Sequence, residues 1–211
     1  GKNAPKSVGR SLFSQGHRVI ANLSYEINWN NNLRTQIGLF YSGTEGQPYS
    51  YTYRDGADLL NDDSRDNALI YVPASQSEIT LEDPSNWSAL NSFIENNDYL
   101  SERRGDYVEK NATRGPWTDI VDLRFVQDLI VSKNKLQFTF DIFNFTNFIN
   151  QDWGRRYFVG SFGFAQPLRT VTAGPDPVFR FQEGSDDPRI TDFGFSGSRW
   201  RAQIGIRYTF K

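Results

Sequence analysis

The chain has 211 residues with 23 Lys+Arg against 25 Asp+Glu, a formal net charge of −2, so it has no built-in long-range attraction for nucleic acid or an anionic surface. It contains no cysteine, which excludes disulfide scaffolds, thiolate zinc sites and cysteine nucleophiles. Aromatic residues make up 15% and charged residues 23%, with a mean hydropathy of −0.60, so large rings coexist with a polar average and no stretch reaches the ~18 apolar residues of a helical membrane span.

The opening GKNAPKSVGR is polar and basic and the chain has no methionine, which reads as a processed or interior piece. Residues 17–29 then alternate: Val19, Ala21, Leu23, Tyr25, Ile27 and Trp29 lie on one side, with Arg18, Asn22, Ser24, Glu26 and Asn28 on the other. A period of two is a strand. After the turn-forming Asn30, Asn31 and Asn32, the pattern resumes with Leu33, Thr35, Ile37, Leu39 and Tyr41 against Arg34, Gln36, Gly38 and Ser42. A third strand is expected over roughly 118–130, with Val121, Leu123, Phe125 and Leu129 opposing Asp122, Arg124 and Asp128.

Ser132, Lys133 and Asn134 make a short turn into KLQFTFDIFNFTNF, where Leu136, Phe138, Phe140 and Ile142 oppose Gln137, Thr139 and Asp141. Two weaker strands are expected around 155–168 and 177–182, joined across the Gly174-Pro175 breaker. The last segment is the most regular: Trp200, Ala202, Ile204, Ile206, Tyr208 and Phe210 alternate with Arg201, Gln203, Gly205, Arg207, Thr209 and Lys211. Seven strands result. Their connections fall on two sides, short ones at 30–32, 132–134 and about 169–176, and long ones at 1–16, about 54–116, 149–154 and 183–198.

Alternation fits a soluble sandwich as well as a membrane barrel. Three features together favour the barrel. The apolar faces span about 9–11 residues in the best segments, enough for a tilted strand to cross a bilayer. Aromatics (Trp29, Trp117, Trp200, Tyr208, Phe210) stand at the ends of those faces, where rings rest at headgroup level. The polar faces carry full charges, which a wide aqueous lumen keeps hydrated. On this reading Trp200, Ile204, Ile206, Tyr208 and Phe210 face lipid, and Arg201, Arg207 and Asp141 face the lumen. Seven strands do not close a bacterial barrel of even strand number, and residues 1–16 show no alternation, so the seven are expected to belong to a larger barrel.

The run DIFNFTNFINQDWGRRY (Asp141 to Tyr157) resembles the penultimate-hairpin signature of TonB-dependent receptors, and RWRAQIGIRYTF resembles their terminal strand. GQPYSYTY (Gly46 to Tyr53), the Asp-rich loop, LIYVP (Leu69 to Pro73) and RGPW before DLRF resemble the large receptors described as Oar-like, so the likeness covers nearly the whole chain. The resemblance implies an all-β transmembrane antiparallel β-barrel of about 22 strands in the outer membrane of a Gram-negative cell, of which residues 1–211 supply about seven C-terminal strands and a long extracellular loop at about 54–116. It further implies import of a ligand too large for porins. The implied partners are the rest of the barrel and its plug, absent from these residues, together with outer-membrane lipid, a periplasmic energy-coupling protein acting through the plug, and a surface lipoprotein. One departure is that Lys211 follows Phe210 where the family pattern ends on an aromatic. The alternative is an outer-membrane barrel subunit with a structural, adhesive or secretion-associated role.

Within the long loop, Asp55, Asp58, Asp62, Asp63 and Asp66 are candidate oxygen ligands for Ca²⁺, although their spacing lacks the Gly and closing Glu of an EF-hand and equally fits a solvated acidic loop. No other cofactor is expected. Tyr49, Tyr51, Tyr53, Trp87, Tyr99 and Tyr107 are candidates either to stack on a ligand at the pore mouth or to pack the loop against itself. His17 is the single histidine, which excludes a histidine-rich metal site within the chain. GFSGS (Gly194 to Ser198) lacks the nucleophile-elbow spacing, and no enzymatic activity is expected.

Overall fold

A computed structural model describes residues 9–54, 57–61, 63, 67–159, 163–182, 189–191 and 196–210, with the backbone alone at 189–191 and 196. In chain order the strands are β1 (Arg18–Asn30), β2 (Leu33–Thr44), β3 (Pro48–Arg54), β4 (Tyr71–Val72), β5 (Thr80–Leu81), β6 (Asp106–Tyr107), β7 (Thr113–Arg114), β8 (Thr118–Val131), β9 (Asn134–Phe143), β10 (Tyr157–Val159), β11 (Phe164–Thr172), β12 (Val178–Phe181), β13 (Arg189–Thr191) and β14 (Arg201–Thr209). Three short helices join them: α1 (Trp87–Glu95), α2 (Asp98–Ser101) and α3 (Phe145–Ile149). The chain is predominantly β, and it divides into one compact unit of residues 1–15, 47–115 and 158–190 and another of residues 16–46, 116–157 and 191–211.

The second of these, the sheet unit, is built on five long antiparallel strands in the order β1-β2-β8-β9-β14. The hairpins are tight for local reasons. Between β1 and β2 the Asn30 side chain accepts from the Asn32 N–H at 2.8 Å, an Asx turn. Between β8 and β9 Ser132 takes a left-handed conformation, with φ of 57°. At the far end of β9 Asn144, also left-handed at φ 55°, stops the strand. The Asn144 N–H donates to Asp122 Oδ1 at 2.8 Å and its side-chain amide donates to the Gly154 carbonyl at 2.9 Å. Buried Asn147 donates to the Gln151 and Trp153 carbonyls and accepts from the Trp200 N–H at 3.2 Å, so the Asn-rich segment after β9 is a knot that starts β14.

The other unit holds the hydrophobic core. Tyr49, Tyr51, Tyr53, Ile70, Val72, Leu90, Ile94, Leu100, Leu168, Phe179 and Phe181 pack together there around a sheet of order β5-β12-β11-β3-β7. In β3 every residue from Pro48 to Tyr53 is buried, the mark of a strand covered on both faces. The sheet is mixed, with β11–β3 and β5–β12 parallel and β11–β12 and β3–β7 antiparallel.

One sequence expectation is corrected. The strands expected around 155–168 and 177–182 do not join the long sheet: β11 and β12 pair with each other and with β3 and β5, so the long alternating sheet has five strands among the described residues rather than seven. Their inward residues, Ala165, Leu168, Thr170, Phe179 and Phe181, are buried against a protein core, and a period of two does not tell that environment from another. The segment at 54–116, expected as a long loop, carries α1, α2, the β4–β6 pair and the strands β5 and β7, and it contributes to the core. Removing a pair of strands leaves the parity of the remaining connections unchanged: both tight turns leave one end of the sheet, and both long excursions, 45–117 and 144–200, leave the other.

Candidate functional site: an exposed apolar sheet face

In antiparallel pairs directly opposed residues share a face, so the register assigns the two sides of the five-stranded sheet. One side carries continuous apolar rows. Tyr25, Ile37, Phe125, Phe140 and Ile204 form one, and Leu23, Leu39, Leu123, Ile142 and Ala202 form the next. This face is exposed, with Ile204 at 76%, Ile206 at 68%, Tyr208 at 57% and Phe210 at 77%. Trp200, at 45%, lies edge-on to Phe148 with ring centroids 5.0 Å apart. An ordinary protein surface does not hold a patch this continuous without a partner.

Polar atoms on the apolar side are matched internally. Trp29 Nε1 donates to Thr35 Oγ1 at 2.8 Å, Thr35 donates on to Gln127 Oε1 at 2.6 Å, and the Gln127 amide donates to the Arg34 carbonyl at 2.9 Å. Thr35 is buried. Near the opposite end of the strands Tyr41 and Trp117 both donate to Asp119 Oδ1, at 2.6 and 2.8 Å. Gly43 permits this, since a Cβ there would collide with the Tyr41 hydroxyl and with the Trp117 ring at 2.6 Å.

The other side is polar and ordered by charge. One row crosses all five strands as Asn28, Arg34, Asp128, Gln137 and Arg207. The Asp128 carboxylate, 2% exposed, is enclosed by Arg34 at 2.6 Å, Lys135 at 2.7 Å and Gln137 at 2.8 Å. Arg34 also meets Glu26 at 3.6 Å, Arg124 meets Asp141 at 3.6 Å, and Arg201 lies over the Phe143 ring at 5.6 Å. Thus Arg201, Arg207 and Asp141 lie on the face opposite Ile204, Ile206 and Tyr208. Among the described residues of this unit the buried side chains are mostly polar, Thr35, Asp128, Asn144, Asn147 and Ser198 beside Val126, while large apolar ones are exposed. The usual arrangement is inverted.

In the unit with the core, the loop aromatics divide. Tyr49, Tyr51 and Tyr53 are buried, with Tyr49 edge-on to Tyr51 at 5.4 Å and Tyr53 stacked on Phe179 at 4.6 Å, so their rings are occupied by the unit's own packing. Trp87 and Tyr99 pack against the same core, and Tyr99 accepts from the Glu109 N–H at 2.8 Å. Tyr107 alone of the six is exposed, edge-on to Tyr71 at 5.2 Å. Of the acidic loop, Asp55, Asp62 and Asp66 lie outside the described residues, and Asp58 accepts from the Asp63 N–H at 2.9 Å. Among the described residues no three His, Cys, Asp or Glu side chains come together as a metal group. His17 stands at the start of β1, where its N–H donates to the Glu45 carboxylate at 2.8 Å. Gly194 and Phe195 of GFSGS lie outside the described residues, and Ser198 accepts from the Arg156 N–H at 2.9 Å.

Burial pushes the Tyr53 phenol up from 10.0 to about 12, with the Tyr71 N–H donated to its oxygen pulling the other way. A folded value above the unfolded one means that the neutral phenol's contribution to stability is complete below the unfolded value and is lost as pH rises toward about 12. Spectrophotometric titration is expected to show a late-ionising tyrosine that Tyr53→Phe removes, and the variant's alkaline unfolding midpoint is expected to move upward. An unchanged titration curve would count against the burial argument.

Comparison of the chain with protein-family models, with curated proteins and with solved structures gives no match. No helix among the described residues is long and apolar enough to cross a membrane, which leaves crossing by strands untouched.

Proposed function

We propose that the five-stranded sheet is wall from the C-terminal part of a Gram-negative outer-membrane β-barrel, resembling the TonB-dependent receptors, with its apolar face against acyl chains and its charged face toward an aqueous lumen. The single observation that carries the reading is the inversion within the sheet unit: continuous exposed apolar rows on one side, and a buried carboxylate with its cations on the other. Strands of 12, 14 and 10 residues suit a tilted crossing. Tight turns at one end and long excursions at the other match the asymmetry of such barrels.

The outer edges of β1 and β14 have no partner strand among the described residues, and in hydrocarbon each unpaired backbone group costs several kcal/mol. Further strands, to about 22 on the family's pattern, would close the ring. In that whole protein the excursions would form extracellular structure, and a plug driven by a periplasmic energy-coupling protein would admit a ligand too large for porins. Trp29, Trp117 and Trp200 stand near the ends of the apolar rows and supply the test. In vesicles of brominated phospholipid, tryptophan fluorescence of the folded protein is expected to be quenched most by bromines near the headgroup. Quenching no stronger than in non-brominated vesicles would overturn the membrane reading. Intact mass of the native material addresses the transport reading, since a lone species of 24.2 kDa with no companion chain would leave no room for plug or closing strands.

A further inference from the structure

The segment that joins β9 to β14 gathers exposed rings and cations at one end of the sheet unit. Asn147 ties its two tryptophans together, since the side-chain amide donates to the Trp153 carbonyl at 2.8 Å and accepts from the Trp200 N–H at 3.2 Å. Trp200 leads into the apolar side of β14, two residues before Ala202, and the Phe148 ring stands edge-on to it. Phe148, Ile149 and Trp153 are each more than half exposed although large and apolar.

The same segment holds two arginines that local folding does not use. The Arg156 N–H donates to Ser198 Oγ at 2.9 Å, and Arg199 follows Ser198 in the chain. Standard bond lengths then keep the Arg156 and Arg199 Cα atoms within roughly 11 Å of each other. Both side chains are exposed, and among the described residues neither guanidinium makes a hydrogen bond or an ion pair. Arg155 differs, because it donates to the Gln151 carbonyl at 2.9 Å and meets Asp152 at 3.2 Å, so its charge is already countered. Guanidinium forks that no carboxylate meets are complementary to phosphate oxygens, and two of them match the nearly double charge of a phosphate monoester. Exposed indole and phenyl rings beside them suit the amphipathic layer just under a lipid headgroup.

We infer that this end of the sheet binds a lipid whose headgroup is a phosphate monoester, with Arg156 and Arg199 on the phosphate and Phe148, Trp153 and Trp200 against the part of the lipid below it. The inference rests on the proposed membrane orientation and adds to it the class of lipid that the wall selects where the long excursions leave.

Tryptophan fluorescence of the full chain in phosphatidylcholine vesicles tests it, with phosphatidic acid or phosphatidylcholine brominated near the headgroup added as the same minor fraction. Brominated phosphatidic acid is expected to quench more strongly, each arginine contributing about a five-fold local enrichment of the acidic lipid. Arg156→Gln and Arg199→Gln are each expected to remove about that factor, while Lys133→Gln, in the tight turn at the other end, leaves the excess unchanged. Quenching by brominated phosphatidylcholine shows that each variant still inserts, and should one arginine variant fail to do so the other carries the test. Equal quenching by the two lipids would overturn the inference and leave the membrane reading standing, whereas quenching by neither would overturn both. An excess that both arginine variants retain would also sink it, as would one that inorganic phosphate abolishes, since the site would then take the free ion.

Discussion

Replacing Phe140 by arginine is expected to destabilise the protein in phospholipid vesicles by about 2–4 kcal/mol, the range for a cationic side chain at the midplane of a barrel's outer face. Phe140 lies in the central apolar row between Phe125 and Ile204, away from both aromatic-bearing ends. Gln203→Arg, on the opposite face beside Asp141, is the matched control and is expected to stay within about 0.5 kcal/mol. Guanidinium unfolding followed by tryptophan fluorescence measures both. If the apolar rows instead faced water, Phe140→Arg would cost little and would raise solubility, and equal effects of the two substitutions would sink the proposed orientation.

The second large effect is expected at Asp128. Its carboxylate is 2% exposed and counters both Arg34 and Lys135, so Asp128→Asn leaves two cations beside a neutral amide. Breaking a fully buried pair costs about 3–5 kcal/mol. Arg34 and Lys135 are themselves 39% and 32% exposed and rehydrate in part, which brings the expected loss nearer to about 2 kcal/mol. In the double variant Asp128→Asn with Arg34→Gln the two losses are expected to be less than additive. Strict additivity would show that the ion pair carries no coupling.

The long strands of the sheet unit were legible because each alternates apolar and polar residues over its length, and their observed limits lie within about two residues of the expected ones, except that β9 stops at Phe143 where the expected segment runs on to Phe148 and Phe145–Ile149 is helical. What alternation could not convey was which partner each apolar side meets. The segments 164–172 and 178–181, expected as two weaker strands beside the long ones, bury Leu168, Phe179 and Phe181 in a protein core. Pro48 to Tyr53 alternates Tyr49, Tyr51 and Tyr53 with Ser50 and Thr52, yet it is buried on both faces, so its polar row does not mark a wet side. The helix Trp87–Glu95 carries its own signals in the sequence: Asp83-Pro84 before it, Leu90 with Phe93 and Ile94 at helical spacing, and Asn96-Asn97 after it. Long-range pairs such as Arg34 with Asp128 are legible only from the register, because their members lie far apart along the chain.

The excursion between β2 and β8 returns to where it started. Thr44 pairs with Thr118 in one sheet, and the Gly115 N–H donates to the Gln47 carbonyl at 3.0 Å in the other unit. Closing a flexible loop costs only about 0.6 kcal/mol more for each doubling of its length. A segment whose ends adjoin then behaves toward the flanking strands much as a hairpin turn does. The core to which it contributes is completed only by Leu168, Phe179 and Phe181, which follow β9 in the chain, so the adjoining ends at Gln47 and Gly115, rather than a finished core, are what keep Thr44 and Thr118 within reach of each other.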